Sequence, residues 1–137
     1  MKKIISIAYF ALIITISSCA TGYGPKGWQG GYTEMKLGED IYKVAFHGNS
    51  STESEEVYNY FLRRCADLTI IKGYEYFAFI DQSTTSQTNI GSVNNGSSSQ
   101  FYSSTEHSKI GIIKMYKNGD QPRISFSAKE VLANFRK

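Results

Sequence analysis

The sequence holds little of what catalytic sites are built from. Two histidines (His47 and His107), two cysteines (Cys19 and Cys65) and a single tryptophan are spread over 137 residues. A zinc site needs several Cys, His or carboxylate ligands at workable spacing, and these side chains do not offer it. No Gly-x-Ser-x-Gly, phosphate-binding loop or dinucleotide fingerprint is present. Gly22-Tyr23-Gly24 has the look of a glycine-rich loop, but no predicted strand precedes it. His47 falls on the polar face of a predicted strand and His107 ends a polar segment, so both read as surface residues. These absences predict a protein that is not an enzyme and uses no cofactor or metal. Excess charge is lacking as well. The net charge of +3 includes Lys2 and Lys3. Without those two, 13 of the 15 basic residues remain against 12 acidic ones, a net of +1. That is no electrostatic footprint for nucleic acid.

What is present begins with an address. Lys2-Lys3 precede an apolar run from Ile4 to Ile16, interrupted only by Ser6 and Thr15. The run is short for a bilayer span and suits the apolar core of a signal peptide over 1–18. Ile16-Ser17-Ser18-Cys19 then has the form of a lipobox: an aliphatic residue, two small ones, and the cysteine that is lipidated before cleavage. Cys19 is the expected lipidation site, and membrane lipid the expected partner through it. Each buried methylene contributes about 0.8 kcal/mol, so two or more acyl chains anchor stably. After Cys19 is modified only Cys65 remains, and no intramolecular disulfide is possible. Cys65 lies on an apolar helical stripe, where a free thiol behaves as a small inert hydrophobe. Residues 19–31, with several glycines and Pro25, read as a lipidated flexible tether. Tyr23 and Trp28 are placed there either at lipid headgroups or over the edge of the domain.

The centre of the chain is the stretch 52–81. Thr52 and Glu55 fit a capping box, and Glu53, Glu55 and Glu56 suit the positive end of a helix dipole. Val57, Phe61, Cys65 and Leu68 recur at helical spacing, and Gly73 supplies the stop. A strand over 74–81 follows, with Phe77 and Phe79 on one face and Tyr76, Ala78 and Ile80 on the other, a pattern of central strands. Arg63 and Arg64 fall on the polar side of the helix and are candidate contacts for an anionic partner.

The runs Arg64-Cys65-Ala66-Asp67-Leu68-Thr69 and Gly73-Tyr74-x-Tyr76-Phe77 resemble a signature of small bacterial envelope lipoproteins. So do Gly30-Gly31-Tyr32 and Val44-x-Phe46-x-Gly48-Asn49 upstream. The resemblance spans roughly 19–81, departs from the pattern at Asp67, where Glu is expected, and brings no assigned chemistry. With Ala20 rather than Asp after the cysteine, it implies an outer-membrane lipoprotein facing the periplasm.

Elsewhere, 32–37 and 41–47 read as a hairpin, 109–117 as a strand, and Ser127 with Glu130 as the capping box of a short last helix. Residues 82–108 are rich in Ser and Thr, with Glu106 as the one acidic or basic side chain besides His107. That composition reads as a polar low-complexity loop, with the alternative that part of it extends the flanking strands as a floppy hairpin tip turning at Asn95-Gly96. Phe101 and Tyr102 are aromatics in this polar run and candidate contact residues. The predicted fold is α+β: a small antiparallel-rich sheet of about four strands in β-β-α-β-β-α order, with one long helix on one face, over a single domain at 32–137. The predicted function is a membrane-anchored envelope lipoprotein acting by protein contact. Its alternative is a module that binds peptidoglycan or another glycan.

Overall fold

The computed structural model describes residues 19–94 and 99–136. The expected signal segment and the Asn95-Gly96 turn lie outside the described residues. The elements are β1 (Gly31–Lys36), β2 (Ile41–His47), α1 (Ser54–Ile71), β3 (Tyr76–Asn94), β4 (Ser99–Tyr116), β5 (Phe126–Ser127) and α2 (Ala128–Ala133). They form one sheet in the order β1-β2-β4-β3-β5, antiparallel at every pairing. The fold is α+β with one long and one short helix. It differs from the expected order by a fifth strand, in which Phe126 and Ser127 pair with Phe77 and Tyr76. Two residues carry no periodicity, so this strand leaves no trace in the sequence. β4 lies between β2 and β3, so α1 crosses over one intervening strand.

The core lies between α1 and one face of the sheet. Val57, Phe61, Cys65 and Leu68 are buried against Val44, Phe46, Phe77, Ile113 and Met115. Each such large side chain contributes about 1.5–3 kcal/mol relative to exposure. Phe77 stacks on Phe126 at 5.3 Å and Phe61 on Phe79 at 5.7 Å. Gly111 makes this approach possible, since a Cβ there would stand 2.8 Å from Phe61 Cζ. α1 ends as expected. Gly73 takes φ +81°, with Gly73 N–H donating to Ile70 O and Tyr74 N–H to Thr69 O, the paired bonds of a Schellman stop.

Three expectations are corrected. The first is the capping box of α1. Glu53 is the N-cap and caps with no side-chain bond. Thr52 is buried, and its hydroxyl accepts from Thr21 N–H at 2.9 Å while donating to Asn49 Oδ1 at 2.9 Å. A tertiary contact has claimed the local cap. The Ser127 cap does form, Ser127 Oγ accepting from Glu130 N–H.

The second correction concerns 19–31, which is docked rather than a flexible tether. Tyr32 N–H donates to Gly24 O and Lys26 N–H to Tyr32 O, both at 2.9 Å, so the segment covers the outer edge of β1. Gly30 and Gly31 turn the chain at φ +102° and +123°, conformations open chiefly to glycine.

The third correction concerns 82–108. Apart from residues 95–98, which lie outside the description, it is strand. Registers run unbroken from Gln82↔Gly111 to Asn94↔Ser99. β2 accompanies β4 only as far as His47↔Ser108, so from residue 85 outward β3 and β4 continue alone as a two-stranded arm about 30 Å long, at roughly 3.3 Å per residue. Backbone pairing and β-compatible Thr residues hold it together without a core. A bulge at Ile80 shifts the register between Phe79 and Asp81, so the helix-side residues change from Phe77 and Phe79 to Gln82, Thr84 and Ser86.

Candidate functional site

The arm, the N-terminal segment and the β2–α1 loop meet at one end of the molecule. Gly48 N–H donates to His107 O at 2.8 Å. Asn49 Nδ2 donates to Cys19 O at 2.7 Å, and Asn49 N–H to Thr21 Oγ1 at 2.9 Å. Thr21 Oγ1 in turn donates to Gln29 O at 2.5 Å. The exposed Cys19 thus stands at the root of the arm, held there through Asn49 and Thr21. Among the described residues no helix is long and apolar enough to cross a membrane.

Arg63 and Arg64 prove to be internal fasteners. Arg64 donates through Nε (2.8 Å) and Nη2 (2.6 Å) to Glu34 Oε2 and lies 4.0 Å over the Tyr32 ring. Its side chain is only 11% exposed. Arg63 lies 4.0 Å over the Tyr23 ring and 3.9 Å from Asp67. Tyr23 donates its hydroxyl to Asp67 and packs among Tyr32 and Tyr60. Burial first, then the hydrogen bond to Asp67, raises the Tyr23 phenol above its ordinary range, against an opposing Arg64. Arg64 thereby ties β1 to α1, while Arg63 holds the Tyr23 ring of the N-terminal segment against α1 and keeps its side chain 35% exposed. Aromatic rings of the N-terminal segment and β1, and for Arg64 the carboxylate of Glu34 on β1, supply these contacts, and helical spacing alone does not show this.

Phe101 and Tyr102 do face solvent, at 80% and 58% exposure, on the outer part of the arm. Phe101 pairs with Ser92 and shares its face with Ile90, itself 77% exposed. Tyr102 lies on the opposite face over Gly91, its cross-strand partner, where a Cβ would meet the ring. Between them and the root run polar cross-strand pairs. Thr88 and Thr105 hydroxyls are 3.1 Å apart, and Ser86 Oγ is 2.9 Å from His107 Nδ1. No charged side chain occurs between Asp81 and Glu106.

Among the described residues, clefts lie on both sides of the root. On the helix side, Ser50–Glu53 face Ser103, Thr105 and His107 across a cleft of about 520 Å³. On the other side, one of about 290 Å³ is lined by Trp28, Gln29, His47, Gln87, Glu106 and their neighbours. Sequence reasoning did not bring these residues together, because four separate segments supply them. Trp28 is 93% exposed and covers no edge of the domain. Tyr23 does cover it. His47 Nδ1 lies 3.1 Å from Ser108 Oγ, and burial, then Lys26, lowers its pKa. Cys65 is fully buried, and burial pushes its thiol up. Among the described residues no group of His, Cys, Asp and Glu could hold a metal ion.

No protein-family model, no curated protein and no solved structure matches this chain.

Proposed function

We propose that this protein is an envelope lipoprotein, anchored by acylated Cys19 and facing the periplasm from the outer membrane, that binds an extended segment of a protein partner along its β-arm. One observation carries the reading: the arm has two open edges, and outward of the Gln87↔Glu106 pair no described residue on either strand is charged or a proline. Sheet edges are commonly blunted with lysine, proline or bulges. Beyond the Ile80 bulge, residues 82–94 contain no proline and no charge. The outer edge of β4 from 99 to 106 lies beyond both the last β2 pair, His47↔Ser108, and the Gly48 bond to His107 O. Rows of backbone N–H and C=O groups are complemented best by another strand, and the exposed Ile90, Phe101 and Tyr102 give such a strand side chains to grip. The signal-like start, the Ile-Ser-Ser-Cys run and the lipoprotein resemblance support the address. The family resemblance itself stands on the Arg64–Thr69 and Gly73–Phe77 runs and the motifs upstream of them.

The test is an in-register shortening of the arm. Replacing residues 89–104 by Asn-Gly joins Thr88 to Thr105, which already face each other, through a two-residue hairpin turn. Crosslinking in intact cells is then compared with the full-length chain. The expected result is a folded, anchored protein that has lost its dominant neighbour. Retention of that neighbour by the shortened chain would sink the arm as recognition element.

A further inference from the structure

We infer that the cleft between Trp28 and the arm root is a binding site for a neutral saccharide. The site does not depend on partner binding along the outer arm. Its chemistry is read by elimination and by fit. A phosphate or other strong anion is disfavoured, because Glu106 lines the cleft along with the single cation Lys26. An apolar ligand would find one apolar side chain, Trp28, among polar ones. A metal lacks its ligand set among the described residues. What remains is a ligand with a face of C–H groups and a rim of hydroxyls. An indole exposed at 93% offers such a face a large flat surface with a polar N–H at its edge. Gln29 and Gln87 bring amides that both donate and accept, and Glu106 brings a carboxylate acceptor. His47 is oriented through Nδ1 by Ser108 at 3.1 Å. The cleft volume of about 290 Å³ sits at the lower end of ligand pockets, which run roughly 300–1,000 Å³. It has room for a mono- or disaccharide unit of a longer chain. Two of the polar groups, Gln87 and Glu106, pair across the arm, so the arm serves as one wall of the site.

Trp28 is the only tryptophan in the sequence, so its fluorescence reports on this site alone. The full chain, reconstituted in vesicles of phosphatidylethanolamine and phosphatidylglycerol, is titrated with cellotetraose, maltotetraose and the β-1,4-linked N-acetylglucosamine tetramer. A saturable blue shift with at least one of them is expected. Gln87→Ala and Glu106→Ala, both at exposed positions, should each weaken that response about tenfold without changing the melting temperature. Three results would overturn the inference: emission unchanged by every saccharide up to millimolar concentration, a shift that both variants leave intact, or quenching of Trp28 by brominated acyl chains before any saccharide is added. The last would place the indole in the bilayer. The shortened arm that tests partner binding retains Gln87 and Glu106, so it should lose its neighbour yet keep the saccharide response. The two ideas fail separately.

Discussion

Tyr23 shows how one side chain decides the state of a whole segment. Its ring sits between Arg63, Tyr32 and Tyr60, and its hydroxyl binds Asp67. A hydrogen bond to a charged group contributes about 1.5–3 kcal/mol, and this one is only partly buried. Tyr23→Phe should therefore cost about 1–2 kcal/mol in urea unfolding and keep the ring packing. A cost near zero would mean that the aromatic cluster alone docks the segment. His47 gives a pH dependence with a definite sign. Its folded pKa lies below the ordinary 6.5, through burial first and Lys26 second. The unfolded chain thus binds more protons there, and stability rises with pH. The contribution is present above about pH 6.5 and is lost as pH falls through the lower folded value. His47→Gln should flatten the midpoint-versus-pH curve on that acid side. An unchanged slope would assign acid sensitivity to other groups.

At the scale of elements, the loop 48–53 is the junction on which α1, the arm root and the N-terminal segment depend. Thr52→Val keeps the shape of the side chain but removes the hydroxyl that Thr21 N–H and Asn49 use. Burying unpaired polar groups costs about 1–3 kcal/mol each. The expected outcome is early protease cleavage within 20–30 and little loss of helical circular dichroism. A large helical loss would instead restore Thr52 as a cap. This element also marks where the sequence was legible and where it was not. The helix itself, its Gly73 stop and the Ser127 cap depend on neighbours within a few residues, and local spacing reveals them. Thr52 fits a capping box equally well on local grounds, but its partner lies 31 residues away. The arm escapes local reading for a related reason. Low apolar content shows that 82–108 buries nothing, and it does bury little. Pairing through the backbone needs no burial, so composition could not separate a ribbon from a loop. Helical spacing puts Arg63 and Arg64 on the solvent side, and the rings that meet them come from the N-terminal segment (Tyr23) and from β1 (Tyr32).

At the scale of the molecule, position matters more than any single contact. Cys19, the Trp28 turn, the β2–α1 loop and the arm root lie at one end. The opposite end of β4, at Tyr116, is nine residues from His107, about 30 Å at strand rise. If Cys19 carries acyl chains, the arm emerges at the level of the bilayer surface and the turn at 117–120 points away from it. This orientation is measurable because Cys65 is fully buried, leaving an introduced surface cysteine as the reactive one once Cys19 is acylated. Fluorophores at Ser50→Cys and Asn118→Cys are compared in vesicles carrying nitroxide headgroups. Quenching should be strong at residue 50 and weak at residue 118. A third label at Ser92→Cys reads whether the arm lies along the surface, where quenching persists, or stands away from it, where quenching fades over its length. Cys19→Ser should abolish acyl labelling and all position-dependent quenching together. Equal quenching at residues 50 and 118 would mean that the anchor does not orient the domain, and the arm would then have no fixed relation to the membrane from which to reach a partner.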